Sequence, residues 1–155
     1  MLKAGTKASL FEAPLDDGST FRLSDLAGVK NVVLYFYPKD FTAGCTREAC
    51  DFRDGHDSIG ARDAVIVGIS RDSIESHRAF REAHNLDFPL ASDIDGSVHD
   101  MYEVDLLWGI IRRRITYVID KAGIIRAAFR HDIAIGHHLR DTIAALESIQ
   151  ATSRT

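Results

Sequence analysis

The stretch Asn31-Val-Val-Leu-Tyr-Phe-Tyr37 runs directly into Pro38-Lys39-Asp40-Phe41-Thr42-Ala43-Gly44-Cys45-Thr46-Arg47-Glu48-Ala49-Cys50. Residues 31 to 37 form a near-continuous run of β-branched and aromatic side chains, the pattern of a strand buried on both faces. A helix follows, read as running to about Gly55, and it carries both cysteines of the chain. Cys45 falls in its first turn. There it faces unpaired backbone N–H groups and the positive end of the helix dipole, which favour a thiolate.

Magnitudes decide what else the site needs. A thiol with a pKa of about 8.5 is ~3% ionised at pH 7, whereas one lowered to about 6 is ~90% ionised, a difference of about 3.4 kcal/mol. A helix terminus supplies at most ~2 kcal/mol. A cation must make up the shortfall, and an arginine is the natural candidate.

Working outward, the elements alternate as an α/β domain requires. Leu10 to Phe21 reads as a hairpin around Asp16-Asp17-Gly18-Ser19, since Asp-Gly supplies a positive-φ turn. Ala64-Val-Ile-Val-Gly-Ile-Ser70 is a second buried strand, and Asp72-Ser-Ile-Glu75 has the form of a capping box opening a helix to about His84. A short helix is expected near Asp95. Thr116 to Ile119 and Ile124 to Phe129, joined by Asp120-Lys-Ala-Gly123, read as another hairpin. The closing helix carries Leu139, Ile143, Leu146 and Ile149 on one face. A polar tail, Gln150 to Thr155, is expected to fray. Together these predict a thioredoxin-like fold: a central mixed β-sheet flanked by helices, with an N-terminal β-hairpin, as a single domain over residues 1–155.

Composition places the chain among small soluble proteins. It has 155 residues, 45% of them hydrophobic, enough to bury about two-thirds of the unfolded surface. The formal charge of −4 gives no electrostatic reason to expect a nucleic-acid partner. No stretch approaches the ~20 apolar residues of a membrane span, and Met1-Leu-Lys-Ala-Gly5 does not resemble a signal peptide. The expected location is the cytoplasm, a reducing compartment where paired cysteines are more often catalytic than structural.

The two thiols admit other readings. They could be small buried hydrophobes. C-x4-C lies at the edge of structural zinc spacing, and no second cysteine pair exists to complete such a site. A structural disulfide would close too short a loop to constrain the unfolded chain much. A thioredoxin-type disulfide oxidoreductase is disfavoured because C-x4-C replaces C-x-x-C.

The pattern Pro38-x-x-x-Thr42-x-x-Cys45, with Glu48 and Cys50 beyond it, resembles the peroxidatic motif of the peroxiredoxins, most closely the PrxQ or bacterioferritin comigratory protein type. The resemblance extends from Gly5–Phe11 and Asp16-Asp17-Gly18 through Val67–Ser70 to Asp87–Asp93 and Arg114–Asp120. It implies that Cys45 is the nucleophile, attacking a peroxide oxygen as thiolate to give a sulfenic acid. By the same resemblance Thr42 would hydrogen-bond thiolate and peroxide, and Pro38 would shield the cysteine. Arg114 would be the missing cation, and Glu48 would orient it or help arrange the site. Cys50 resembles the resolving cysteine. Residues five apart in an unbroken helix have Cα atoms about 8.6 Å apart on opposing faces, beyond the ~7 Å a disulfide allows, so the helix must unwind before the two can join.

Departures from the family pattern are Ala43 and Ser9, each where many members have proline, and a short segment between Tyr102 and Arg114. Neither substitution removes a reacting group. Three further features have plain structural readings. His137-His138 is taken as a solvated helix start, Arg112-Arg113-Arg114 as a strand-edge charge run, and Leu106-Leu107-Trp108-Gly109 as either a cap over the core or a partner surface. The expected activity is reduction of hydrogen peroxide and organic hydroperoxides by a monomer or weak homodimer without metal or other cofactor. Thioredoxin or a related dithiol would regenerate the enzyme. The alternative is a peroxide sensor or redox-switched binding module on the same fold.

Overall fold

The computed structural model describes residues 1–107, 112–131 and 136–153. An N-terminal hairpin, β1 (Glu12–Pro14) and β2 (Thr20–Arg22), turns at Asp17-Gly18, where Gly18 takes φ +90°. A short 3-10 helix, Leu23–Leu26, leads to β3 (Asn31–Phe36). Then come α1 (Ala43–Asp54), α2 (His56–Gly60), β4 (Ala64–Ser70), α3 (Ile74–His84), β5 (Leu90–Ser92) and α4 (Ser97–Met101). The chain closes with β6 (Ile115–Ile119), β7 (Ile125–Arg130) and α5 (His137–Ser153).

Five strands make one sheet in the order β5-β4-β3-β6-β7. β3 pairs parallel with β4 and antiparallel with β6, so it lies at the centre of a mixed sheet. All six of its residues are buried, as the continuous apolar run predicts. Because side chains alternate along a strand, Val32, Leu34 and Phe36 face a core under the N-terminal hairpin, with Phe11, Phe21, Tyr102 and Tyr117. Val33, Tyr35 and Tyr37 face the opposite core, shared with Cys45, Phe52, Phe80 and Leu146 from the helices. The thiol that the sequence singles out is thus built into the second core.

Several local expectations are corrected. The cap of α3 is Ser73, whose hydroxyl oxygen accepts from Ser76 N at 3.2 Å. Asp72, one residue earlier, instead accepts from Asp40 N and the Ser70 hydroxyl. α2, a single turn, has no periodicity for the sequence to display. α5 stays helical to Ser153, so the expected fraying does not begin at Gln150. The three arginines are not an edge charge run, since β6 is an interior strand. Arg113 and Arg114 are buried, and Arg113 donates to the carbonyls of Glu103 and Val104. Leu106 and Leu107 are exposed and so do not cap the core; Trp108 and Gly109 lie outside the described residues.

Candidate active site

Two neighbouring chain segments build the site. Thr42 caps α1 with extended φ and ψ, and Thr46 N donates to Thr42 O at 2.9 Å. Ala43, Gly44 and Cys45 therefore form the first turn, where backbone N–H groups lack helical acceptors. Cys45 is 1% exposed.

The second segment enters β6. Phe36 pairs with Ile115, so the chain arrives beside the point where β3 ends and the loop to α1 begins. Ile115 and Tyr117 point into the hairpin core and Val118 into the helix core, so alternation puts Arg114 and Thr116 on the helix side. Arg114 Nη2 lies 3.3 Å from Cys45 Sγ, and Nη1 donates to Glu48 Oε1 at 2.8 Å. A guanidinium thus stands beside the thiol, where the sequence leads one to look for a cation. Burial works against Arg114's charge, but Glu48 and Cys45 outweigh it and raise its pKa.

Glu48 occupies the next turn of α1 and is 1% exposed. Burial raises its pKa to about 7, Arg114 opposes the rise, and Asp51 adds to it. Its Oε2 makes no hydrogen bond among the described residues. Behind the site, burial pushes the Tyr35 phenol well above its ordinary value, and the charges of Glu48 and Cys45 push it further.

Cys50 is half-buried on the same unbroken helix, and both cysteines are free thiols. Pro38 is half-buried in the loop, where its carbonyl accepts from Arg112 Nη1 at 3.4 Å. The Thr42 hydroxyl donates to Lys39 O at 2.9 Å. Its proton is thereby committed, and its lone pairs are what it can offer to a bound O–H. Phe41, between these two, takes φ +66°, a left-handed conformation uncommon for an aromatic residue.

The loop is held from below by a polar cluster that sequence reasoning did not anticipate. Asp40 accepts from the Tyr37 hydroxyl at 2.6 Å and the Ser76 hydroxyl at 2.9 Å, and its Oδ2 lies 2.7 Å from His77 Nδ1. His77 Nε2 faces the Ala91 carbonyl at 3.0 Å. Asp40, Asp72 and His77 are the residues with metal-ligand geometry among those described. Their ligand atoms are already used by one another, by Ser70 and Ser76, and by backbone groups, so the cluster reads as an anchor. A cavity of about 770 Å³ between β7 and α5, lined by Asn31, Asp120, Phe129 and Ile149, touches none of these groups.

His138 was also missed. It is not a solvated helix start: His137 is exposed, but His138 is 1% exposed and its Nε2 lies 3.5 Å from Glu48 Oε2. The available signal was the stripe His138, Thr142 and Leu146, all buried on one face of α5 but polar at its first two positions.

A buried thiol in the first turn of a helix, beside an arginine from an adjacent strand of a mixed sheet, defines a thioredoxin-like thiol protein. The AhpC/TSA family matches residues 4–128, and the chain belongs to that family. It is similar to peroxiredoxin Bcp of Bacillus subtilis, at 40% identity over 96% of this chain and 97% of that one. The chloroplastic peroxiredoxin Q of Populus jackii is 39% identical over 86% of this chain and 62% of its own. Among solved structures, peroxidoxin BcpB of Mycobacterium tuberculosis superposes with a TM-score of 0.89 at 35% identity, covering 96% of this chain and 99% of that one. The Xanthomonas campestris bacterioferritin comigratory protein, described with respect to alkyl peroxide reduction, gives 0.84 at 30% identity over 94% and 98%. Within the described residues no helix is long and apolar enough to cross a membrane.

Proposed function

We propose that residues 1–155 act as one peroxiredoxin domain, a thiol-dependent peroxidase of the atypical 2-Cys kind. The observation that carries this reading is Arg114, whose guanidinium spans Cys45 Sγ and Glu48 Oε1 within the first two turns of α1. The Cys45 thiolate attacks the terminal oxygen of a hydroperoxide. An S–O bond forms, the O–O bond breaks, sulfur loses two electrons, and the leaving alkoxide or hydroxide takes a proton. Arg114 and the helix N-terminus stabilise the thiolate beforehand and the charge on the leaving oxygen during the step. Thr42 accepts from the peroxide O–H, and Pro38 shields the thiol from bulk solvent. Glu48 fixes the plane of the guanidinium.

Cys50 then attacks the sulfenic sulfur. An S–S bond forms, water leaves, and a dithiol such as thioredoxin returns both thiols by exchange. Coupled NADPH oxidation with thioredoxin, thioredoxin reductase and a panel of hydroperoxides tests the scheme. Cys45→Ser should abolish peroxide consumption, whereas Cys50→Ser should permit one oxidation without turnover. Full turnover in Cys50→Ser would remove that residue's resolving role. A wild-type protein that oxidises once and does not recycle would instead be the peroxide sensor.

A further inference from the structure

Glu48 has two carboxylate oxygens and Arg114 takes only one. Oε2 has no hydrogen-bond partner among the described residues, and Nε2 of His138 faces it at 3.5 Å, within ion-pair distance. The imidazole is itself held at both nitrogens. Nε2 lies 3.2 Å from the His131 carbonyl, which only accepts, so this nitrogen carries a hydrogen. Nδ1 lies 2.8 Å from the Thr116 hydroxyl, which can donate to a bare nitrogen or accept from a protonated one. Protonation at Nδ1 is therefore compatible with both of these contacts.

We propose that His138 is a positioning residue of the peroxide site, pairing with the second oxygen of Glu48 so that the buried groups run Cys45, Arg114, Glu48, His138 in one chain. Register supports the arrangement. Arg114 and Thr116 lie two apart on one face of the chain entering β6, and they bracket Glu48 and His138 as they bind them. With Arg114 opposite Cys45, a neutral His138 leaves Glu48 as uncompensated buried negative charge. One further proton, shared by Glu48 and His138, makes the four groups neutral together. The raised affinity of Glu48 for a proton, caused by burial, fits such sharing.

Other ionisable groups face this chain from every side. Asp51 lies one turn along α1, and Tyr35 lies beneath on β3. Arg47 approaches Gly136, ahead of α5. The His131 ring packs edge-on against His138 at 5.0 Å and pairs with Asp141 through Nε2 at 2.7 Å. His131 is thus already matched with an acid.

Glu48 lies between the two cysteines, so the helix cannot unwind without drawing it away from both Arg114 and His138. His138 ties the closing helix to the segment that must move, and so biases the sulfenic form toward the folded helix.

The inference rests on Cys45 as the peroxide-reacting thiol, but its first test does not. In reduced protein with 15N-labelled histidine, the His138 ring nitrogens are followed from about pH 5 to pH 9, assigned by loss of signal in His138→Gln. We expect Nδ1 to gain a proton on acidification, and the midpoint to fall by about one pH unit or more in Glu48→Gln, a tenfold weaker hold. A midpoint indifferent to Glu48→Gln overturns the pairing. The second test, in a Cys50→Ser background, measures the rate of Cys45 oxidation by hydrogen peroxide across pH. His138→Leu should be about tenfold slower near neutrality, while His138→Gln, which keeps a donor but cannot take up the proton, should recover rate and flatten the profile. His131→Gln should retain the wild-type profile. A wild-type rate and profile in His138→Leu overturns the positioning role. If the wild type does not react with peroxide at all, the proposed function fails, and the nitrogen titration still decides the Glu48–His138 pairing.

Discussion

Arg114 reaches Cys45 across 69 positions of sequence, with Nη2 3.3 Å from Sγ. The antiparallel pairing of Phe36 with Ile115 accounts for it, since the end of one strand and the start of the other meet at the loop that leads into α1. The same guanidinium binds Glu48, so its position is fixed before any peroxide arrives. Preorganised charge of this kind needs no rearrangement at the moment of reaction.

Arg114→Ala should therefore slow Cys45 oxidation by one to several orders of magnitude, since each ~1.4 kcal/mol of lost transition-state stabilisation is a factor of ten. Stopped-flow oxidation of both proteins measures the effect. If the rate does not change, the cation that serves the reaction is a different arginine. Arg113 is then a poor substitute, because its guanidinium is committed to the Glu103 and Val104 carbonyls.

Glu48 makes stability depend on pH. Burial raises its pKa from 4.5 to about 7 in the fold, so between those values the native state holds a proton that the unfolded chain has released. The resulting contribution is fully present below the lower value and is lost as pH rises through the upper one, by about 3 kcal/mol. Glu48→Gln removes this slope. Urea denaturation of reduced protein at about pH 5 and about pH 8 should show a smaller difference for the variant than for the wild type. Equal differences would mean that Glu48 does not titrate in this range.

How much of this was legible depends on whether the signal was local. The buried strand 31–37, the turn at Gly18 and the helix around Cys45 announce themselves through runs, turn residues and motif spacing. Arg114 was legible only through family resemblance, because composition cannot tell a buried guanidinium from its neighbours. Arg112, Arg113 and Arg114 in fact have three different fates: an exposed side chain, a brace for backbone carbonyls, and the partner of the thiol. His138 was hidden differently. A polar pair at a helix start reads as solvated, and only the packing of α5 on β6 buries one member while leaving the other exposed. Asp40 stood inside the quoted motif, yet its role depends on His77, 37 residues away, which no local pattern connects to it.

Gly68 is held to its identity by an aromatic ring. It lies directly across from Tyr35 in the β3–β4 ladder, and a Cβ there would meet Tyr35 Cζ and Oη at 2.7 Å and Leu90 Cδ2 at 2.8 Å. Tyr35 cannot yield easily, because it stacks on Phe52 of α1 at 4.8 Å and on Tyr37 at 5.3 Å. Gly68→Ala should cost about 1–3 kcal/mol by overpacking, read from the urea midpoint. The displaced ring would press on α1, so slower Cys45 oxidation should accompany the loss. A change below ~0.5 kcal/mol would show that the strand can shift to admit the methyl group.

Oxidation should loosen the segment that holds both cysteines. α1 is continuous from Ala43 to Asp54 with both thiols free, and ideal helix geometry keeps Cα atoms five residues apart about 8.6 Å from each other. A Cys45–Cys50 disulfide needs less than ~7 Å, so it forms only if the hydrogen bonds across that turn break. The same movement takes Glu48 from Arg114 and Ala49 and Phe52 from the core, where both are fully buried. Breaking a few helical bonds costs ~1 kcal/mol net each, and the lost burial adds to it. Hydrogen exchange of the amides from Cys45 to Phe52, compared between reduced and oxidised protein, should show protection in the first and fast exchange in the second. Equal protection in the two states would leave the disulfide without a route through local unfolding, and resolution would then require a thiol from outside the chain.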